Sequence, residues 1–500
     1  MRNTRLLISI FVLIMITFMS SKVNAKEITE ESKIKLNGDA ISSKVTDNTE
    51  STYITVSKES EIEITSEDDI YSIYVVYEFS SKTGTLIGND KTANIGENNF
   101  LHEYINVEEK IGISNDIKIK YDEDVKIAEI YIIGEGEIPD FVEIWNPPYE
   151  KADLLLFSTH SDDEQLFMLG LMPTYVARGA YVQVVYFANH NDNTQRLHEQ
   201  IHGLYTVGIR NYPILGIVPD AYSETLEKAI SNMEASNITE DDAIRFQVEN
   251  IRRFKPQVVV GHDEKGEYSH GQHILNTYCL EKAILYTNDK TYDEESYNQY
   301  GLWQISKLYL HLYEKNQITM DYDIPLEYFN GKTAYEVSKE GYSKHLSQQW
   351  TWFTKWINGP NNSYKKATEI EKYSPLLYGL YYTSVGEDTE KKDMFENLTY
   401  YRIQEEEEIQ KEKKEQELKK SEEEVKEEKK NGKKKYIFII ILLLFLIYLK
   451  VVRKKKKKKK RRYTKRNDYD FNFSYDYDFN YGYNEKRNSN RRKYKGKRYK

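Results

Sequence analysis

Hydrophobic and polar positions change their rhythm three times along the chain. Between about residues 26 and 148, polar residues alternate with β-branched and aromatic ones, as at 52–56, 69–79 and 117–133. A period of two predicts half-buried strands, and hence an all-β sandwich domain over 26–148. Short continuous apolar runs then take over. Those at 154–157, 182–187 and within 255–263 predict buried strands, and the amphipathic stretch 165–178, closed by Gly179, predicts the helix after the first of them, with Pro173 placed to kink it. Strands alternating with helices predict an α/β domain with an open sheet over 149–400. From 405 to 430 nearly every residue is Glu, Lys or Gln, with apolar residues such as Ile409, Leu418 and Val425 too sparse for a coiled coil. The segment 401–435 therefore reads as a charged helical stalk.

Two further apolar runs lie near the ends. Residues 1–25 combine Arg2 and Arg5, an apolar stretch at 6–19 and the small-residue exit Val23, Asn24, Ala25, which together describe a signal peptide. Residues 436–452 form an apolar run interrupted only by Lys450, and 17 residues rise about 25 Å as a helix, enough to span a bilayer with snorkelling. Ten consecutive basic residues follow at 453–462, against three lysines at 433–435. The positive-inside rule then puts the bulk of the chain outside the cell membrane and the tail, 453–500, in the cytoplasm. The formal charge of −9 hides this strongly basic tail and a more acidic remainder. The tail suits anionic headgroups or nucleic acid, with stop-transfer the plainer reading of its first ten residues; no nucleic-acid partner is expected elsewhere. Repeats of Asp, Tyr, Phe and Asn at 467–484 are of low complexity. A single cysteine, Cys279, excludes a disulfide framework within one chain.

Candidate chemistry falls where the first buried strand ends. Thr159, His160, Ser161, Asp162, Asp163 and Glu164 occupy a strand-to-helix turn, and in open α/β sheets ligands bind at the carboxyl ends of the strands. An imidazole and a carboxylate three residues apart can both ligate one cation. The strand within 255–263 ends in His262 and Asp263, and His270 and His273 lie beyond it in a glycine-containing loop. Two strand ends thus bring His, Asp and His to one rim. Three mixed nitrogen and oxygen ligands with a position left for water describe a catalytic zinc site, and a His-Asp-His set also accepts Fe2+ or Mn2+. Asp162, the spare carboxylate, is placed to act as general base.

These residues resemble the de-N-acetylase family that includes the N-acetylglucosaminyl-phosphatidylinositol deacetylases and the bacterial LmbE-like enzymes, over roughly residues 149–349. Thr159 to Glu164 match its first motif except for Ser161 in place of proline, and Tyr268, His270 and His273 match its second. Arg196, Glu199, Gly208 and Ile209, then His345, Ser347 and Gln348, follow in the expected order. The resemblance implies a Rossmann-like domain in which His160, Asp163 and His273 bind the metal, Asp162 is the acid/base, and His270 and Tyr268 help the oxyanion. Many members carry Asp before the last His, whereas this chain has Gln272. The implied reaction is hydrolysis of the N-acetyl group of an amino sugar, in a cell-wall glycan, glycolipid headgroup or soluble glycoconjugate. The end of the β region, at 130–145, loosely resembles discoidin-like carbohydrate-binding modules; an inert spacer is the equal alternative.

Plainer readings stand beside these. His102, His190, His198, His202, His262 and His311 are assigned to surface or core, the commoner fate of a lone histidine. Asp263 and Glu264 read equally as loop solvation, and His345 as a packing or capping residue. Two other functions compete: a non-catalytic surface glycan-binding protein retaining the fold, which the departures at Ser161 and Gln272 favour, and a metal-dependent amide hydrolase with a non-sugar substrate.

Overall fold

A computed structural model of the chain describes residues 25–349 and 352–463. The expected signal peptide up to residue 24 and the tail from 464 onward lie outside the described residues. Two compact units are present, one ending at Ile409 and the other beginning at Gln410.

Alternation between residues 33 and 133 produces two antiparallel sheets. One has six strands and contains Ile62–Ile70 beside Ser114–Tyr121; the other has four, in the order Ile54–Val56, Val125–Ile133, Ser72–Tyr77 and His102–Asn106. Ile62, Ile64, Ile73, Val75, Ile117, Ile119, Ile130 and Ile132 share one core, as a period of two requires. All six residues of Ser72–Tyr77 are nevertheless buried, because Tyr74 and Val76 pack on the other face of their sheet. His102 stands opposite Val76 in that sheet and is fully buried.

Next comes an open sheet of six strands. In chain order these are β1 (Leu154–Ser158), β2 (Val182–Tyr186), β3 (Val258–Gly261), β4 (Lys307–His311), β5 (Gln317–Thr319) and β6 (Leu377–Thr383). Their spatial order is β2-β1-β3-β4-β6-β5; the first four are parallel, and β6 is antiparallel to both β4 and β5. The strands read as unbroken apolar runs because both sheet faces are covered. Leu154, Leu156, Val258 and Val260 enter one core, whereas Leu155, Phe157, Val259 and Leu308 enter another. Chain direction reverses about β1, which has β2 on one side and β3 on the other. The crevice beyond their carboxyl ends is where such sheets take ligands.

The helix expected over 165–178 is instead two helices, α1 (Asp163–Leu166) and α2 (Leu171–Ala177). The break is not made by Pro173, which sits in the first turn of α2 where its missing N–H costs nothing. Gly170 makes it, with φ 88°, and a Cβ there would lie 2.3 Å from the ring of Tyr322. Other helices bearing on the site are α3 (Thr194–Thr206), α4 (Glu240–Phe254) and α5 (Gly271–Tyr286).

A last helix, α6 (Tyr401–Tyr463), carries the charged segment and the apolar run without interruption. Its start is held within the first unit: Tyr401 N–H donates to Asp153 Oδ1 at 2.7 Å and Tyr181 Oη donates to Glu405 Oε2 at 3.0 Å. It is long and apolar enough to cross a membrane, with a mean hydropathy of 2.5 in its best window.

One buried cation supports the α4 side of the sheet. Arg252 is fully buried and donates to the carbonyls of Tyr286, Thr287, Asp289, Tyr292 and Asp293 and to Ser296 Oγ, at 2.6–3.2 Å. It thereby satisfies carbonyls left over at the end of α5. Replacing Arg252 by Met strands those acceptors and is expected to cost about 3 kcal/mol, read as a lower urea midpoint at unchanged slope.

Candidate metal centre

Residues of the β1 turn meet the start of α5 in the crevice. Asp163 Oδ2 lies 2.9 Å from His160 Nδ1 and 3.1 Å from His273 Nε2, and those two nitrogens are 3.2 Å apart. Ligands at 2.0–2.1 Å around a tetrahedral ion are spaced by about 3.3 Å. The triangle therefore has the size of one face of a zinc-type coordination shell. All three side chains are buried.

Neighbouring groups fix which nitrogen of each ring is bare. His160 Nε2–H donates to Gln272 Oε1 at 2.9 Å, and His273 Nδ1–H donates to Glu267 Oε2 at 2.7 Å. What remains is two imidazole lone pairs and a carboxylate oxygen facing one another. Such crowding requires positive charge at its centre, so the donor set fits a divalent cation. Without one, protons are drawn in. Burial opposes protonation of His273, yet Asp163 and Glu267 outweigh it and push the ring up to about 10. Burial likewise opposes ionisation of Asp163, yet His273 and His160 hold its carboxyl well below the usual range.

Asp162 stands beside this triangle in a backbone conformation that few non-glycine residues adopt, φ 118°. Its N–H donates to Glu164 Oε2 at 3.0 Å, and Oδ1 accepts from Arg196 at 3.0 Å. Burial raises its carboxyl to about 7, with Arg196 opposing and Asp163 reinforcing the shift. Tyr268 and Ser269 are also left-handed, at φ 46° and 62°. Their turn sets the Tyr268 ring 5.3 Å from His270 and 5.5 Å from His273, among Phe167, Phe353 and Trp356. Burial, with the charges of Asp163 and Asp162, lifts the Tyr268 hydroxyl far above its ordinary value, so it keeps its proton. Burial and the adjacent His160 and His273 depress the His270 ring to about 2. Its Nδ1 accepts the Gln272 N–H at 3.2 Å, which leaves Nε2–H as its donor. One donor atom each from His160, His270 and His273 also falls within a 4.8 Å cluster.

Several residues that organise the site were not singled out from the sequence. Glu267 is fully buried and receives three imidazoles: His262 Nδ1 at 2.8 Å and His273 Nδ1 at 2.7 Å on Oε2, and His311 Nδ1 at 2.7 Å on Oε1. His262 Nε2 in turn accepts the Thr159 N–H at 3.0 Å. His262 and His311 thus leave the surface-or-core category for the support of His273. Asp220 lies 2.9 Å from Arg196, 3.3 Å from His190 and 3.5 Å from His160, while His190 Nε2 accepts the Ser161 N–H at 3.0 Å. Gln272 is clamped by Ala221 N–H at 3.1 Å and Pro219 O at 2.8 Å, so that its oxygen faces His160. Asp263 accepts Lys265 N–H within its loop, and Glu264 has no part in the triangle. His345 is buried 3.4 Å from Glu164, and Ser347 donates to Glu199 through its N–H at 2.7 Å and Oγ at 2.6 Å. Position and chemistry held one usable signal: His262 and His311 both fall at the carboxyl ends of parallel strands.

Residues 155–284 match the family described as GlcNAc-PI de-N-acetylase, and this segment is a PIG-L family domain. The chain is 28% identical over 179 residues to a 1D-myo-inositol 2-acetamido-2-deoxy-alpha-D-glucopyranoside deacetylase of Geodermatophilus obscurus, covering 31% of this chain and 60% of that protein. A deacetylase of the same description from Catenulispora acidiphila is 25% identical over 184 residues, covering 32% and 56%. The chain thus spans less than two thirds of the length of these relatives. Among solved structures, N,N'-diacetylchitobiose deacetylase from Pyrococcus horikoshii aligns with a TM-score of 0.33 at 14% identity, over 47% of this chain and 84% of that one.

Glu267 sets the tautomer of His273, so Glu267→Gln is expected to weaken metal binding at the triangle by about 10- to 100-fold, measured by competition with a chromogenic chelator.

Proposed function

We propose that this chain is a membrane-anchored, extracytoplasmic, metal-dependent deacetylase that hydrolyses the N-acetyl group of an N-acetylglucosamine-type sugar or glycoconjugate. The observation that carries this reading is the triangle of His160 Nδ1, Asp163 Oδ2 and His273 Nε2, 2.9–3.2 Å on a side, beside a carboxyl raised to about 7. In this reading His160, Asp163 and His273 hold Zn2+, with Fe2+ or Mn2+ as alternatives, and Asp162, His270 and Tyr268 are the catalytic groups. A divalent cation bound there supplies Lewis acidity and lowers the pKa of water.

Proton movements fall to the chain itself. Asp162, ionised, takes a proton from the attacking water as its oxygen bonds to the N-acetyl carbonyl carbon, with Arg196 holding Oδ1 in place. His270 Nε2–H and the Tyr268 hydroxyl are the donors available to the oxygen that gains negative charge. Asp162 then returns its proton to the sugar nitrogen as the C–N bond breaks, giving the free amine and acetate.

The setting of this chemistry belongs to the same proposal. Residues 1–25 are a signal peptide, 26–148 a β-sandwich of carbohydrate-binding-like or spacer type, and 149–400 the deacetylase domain. Residues 401–435 are a stalk, 436–452 the transmembrane helix and 453–500 a cytoplasmic tail. One apolar helix and the basic run after it support that orientation. A helical stalk from 405 to 430 reaches about 40 Å at about 1.5 Å per residue, a span suited to cell-wall glycans.

Two outcomes check the reading. Asp162→Asn is expected to retain the metal and lose about 10²- to 10⁴-fold in acetate release from N-acetylglucosaminyl substrates; full activity in the variant removes Asp162 from the mechanism. The base must be ionised, so kcat/KM is expected to rise with pH through an apparent pKa at or below about 7, because a bound cation favours the carboxylate and lowers its pKa.

A further inference from the structure

Three of the histidines outside the catalytic centre gather elsewhere. His198 and His202 lie one turn apart on α3, the i and i+4 spacing that puts two rings on one helix face. His102 approaches from the four-stranded antiparallel sheet, and Glu50 from the segment before Ile54–Val56. Glu143, on the connection between the two regions, completes the group.

The rings are oriented as ligands are. Glu143 Oε1 accepts from His202 Nδ1 at 2.7 Å, while Oε2 lies 3.4 Å from His102 Nδ1 and is steadied by Trp145 Nε1 at 3.2 Å. His102 Nδ1 also faces the Tyr74 hydroxyl at 3.1 Å, so both Nδ1 atoms are occupied; His202 Nε2 meets Glu50 Oε1 at 2.8 Å, and His102 Nε2 lies 3.9 Å from that oxygen. One donor atom each from Glu50, His102 and His202 lies within 4.8 Å of the others. His198 Nδ1 faces His102 Nε2 at 2.8 Å, and its own Nε2 is buried without a hydrogen-bond partner. Glu143 thus stands to His102 and His202 as Glu267 stands to His262 and His273. Glu50, Glu143 and His202 line a cavity of about 720 Å³ with Tyr131, Phe141 and Tyr205.

We propose that Glu50, His102 and His202, with His198 beside them, form a second metal site, which takes a divalent transition-metal ion of the zinc class and ties the antiparallel region to α3. Imidazole-rich donors with one carboxylate select such an ion over Mg2+ or Ca2+, which prefer all-oxygen shells. A carboxylate shared by the outer nitrogens of two rings is the arrangement that fixes histidine ligands. None of these residues takes part in the proposed hydrolysis, so the site stands or falls separately from it.

Metal content of the full-length protein in detergent, stripped, reloaded with Zn2+ and freed of excess ion, tests the proposal. The wild-type chain is expected to hold about two equivalents, and a His160→Ala/His273→Ala variant about one, because only the triangle is emptied. Adding His202→Ala to that variant is expected to abolish the remaining equivalent. Glu50→Gln, a milder change at a partly exposed position, is expected to weaken it at least about 10-fold and to remove the zinc-dependent rise in Tm. A His160→Ala/His273→Ala protein that melts cooperatively and holds no zinc overturns the proposal, leaving His202 as an ionic bridge between Glu50 and Glu143. So does a residual ion bound equally well after Glu50→Gln and His202→Ala.

Discussion

Two imidazole nitrogens and a carboxylate oxygen, each presenting electron density to the others within 3.2 Å and sheltered from water, are a combination that relaxes apart unless something holds it. Repulsion of this kind is strong in a low-dielectric interior, where water cannot screen it. The surrounding structure is the answer to that constraint. Glu267 grips His273 from behind while anchoring His262 and His311, and His262 reaches back to the Thr159 N–H on the β1 turn. Gln272 does the same for His160 and is itself clamped by two backbone groups. Each imidazole of the triangle is thus fixed through its outer nitrogen, and the strands that end at Ser158, Gly261 and His311 set where those fixing groups stand.

Backbone strain is concentrated at the same place. Asp162 and Tyr268, neither of them glycine, occupy left-handed conformations that cost about 1–3 kcal/mol each. At Asp162 this geometry lets one turn send His160 and Asp163 to the triangle while Asp162 meets Arg196. At Tyr268 it lets Glu267 point into the buried imidazole cluster while the next side chain faces Phe167 and Trp356. An ordinary helical or extended turn would send successive side chains along a regular progression. Burial of β1 and β3 on both faces provides the rigidity that holds such turns in place.

What the sequence revealed, and what it hid, follows from how local each signal is. Strands β1, β2 and β3 were legible because doubly buried strands are written as unbroken apolar runs, and the antiparallel region because half-buried strands alternate. The grouping of His160, Asp163 and His273 could be expected from two short motifs at strand ends. The break between α1 and α2 could not, since it arises from the Tyr322 ring pressing on Gly170, a contact 152 positions away in the chain. Glu267 was hidden for a similar reason. One glutamate beside a recognised tyrosine carries no periodicity, and its importance comes only from three histidines that converge on it from separate positions, 262, 273 and 311. Gln272 looked like a loss when judged against the aspartate common at that position. In three dimensions its oxygen serves His160.

Helix α3 links the two regions of the first unit. Arg196 binds Asp162 and Asp220, and Glu199 takes both the N–H and the hydroxyl of Ser347. His198 and His202 face His102 and Glu50 of the antiparallel region, whose Leu101 N–H donates to Tyr212 Oη at 2.9 Å. Phe100 and Leu101 continue into the same apolar core as β1 and β3. A domain tethered only by a flexible linker makes no such contacts, and inter-domain motion is the default when the interface is small and polar. Here apolar burial and a network of buried histidines and carboxylates act on one helix. The antiparallel region therefore packs on the helix that carries Arg196, the residue that holds Asp162.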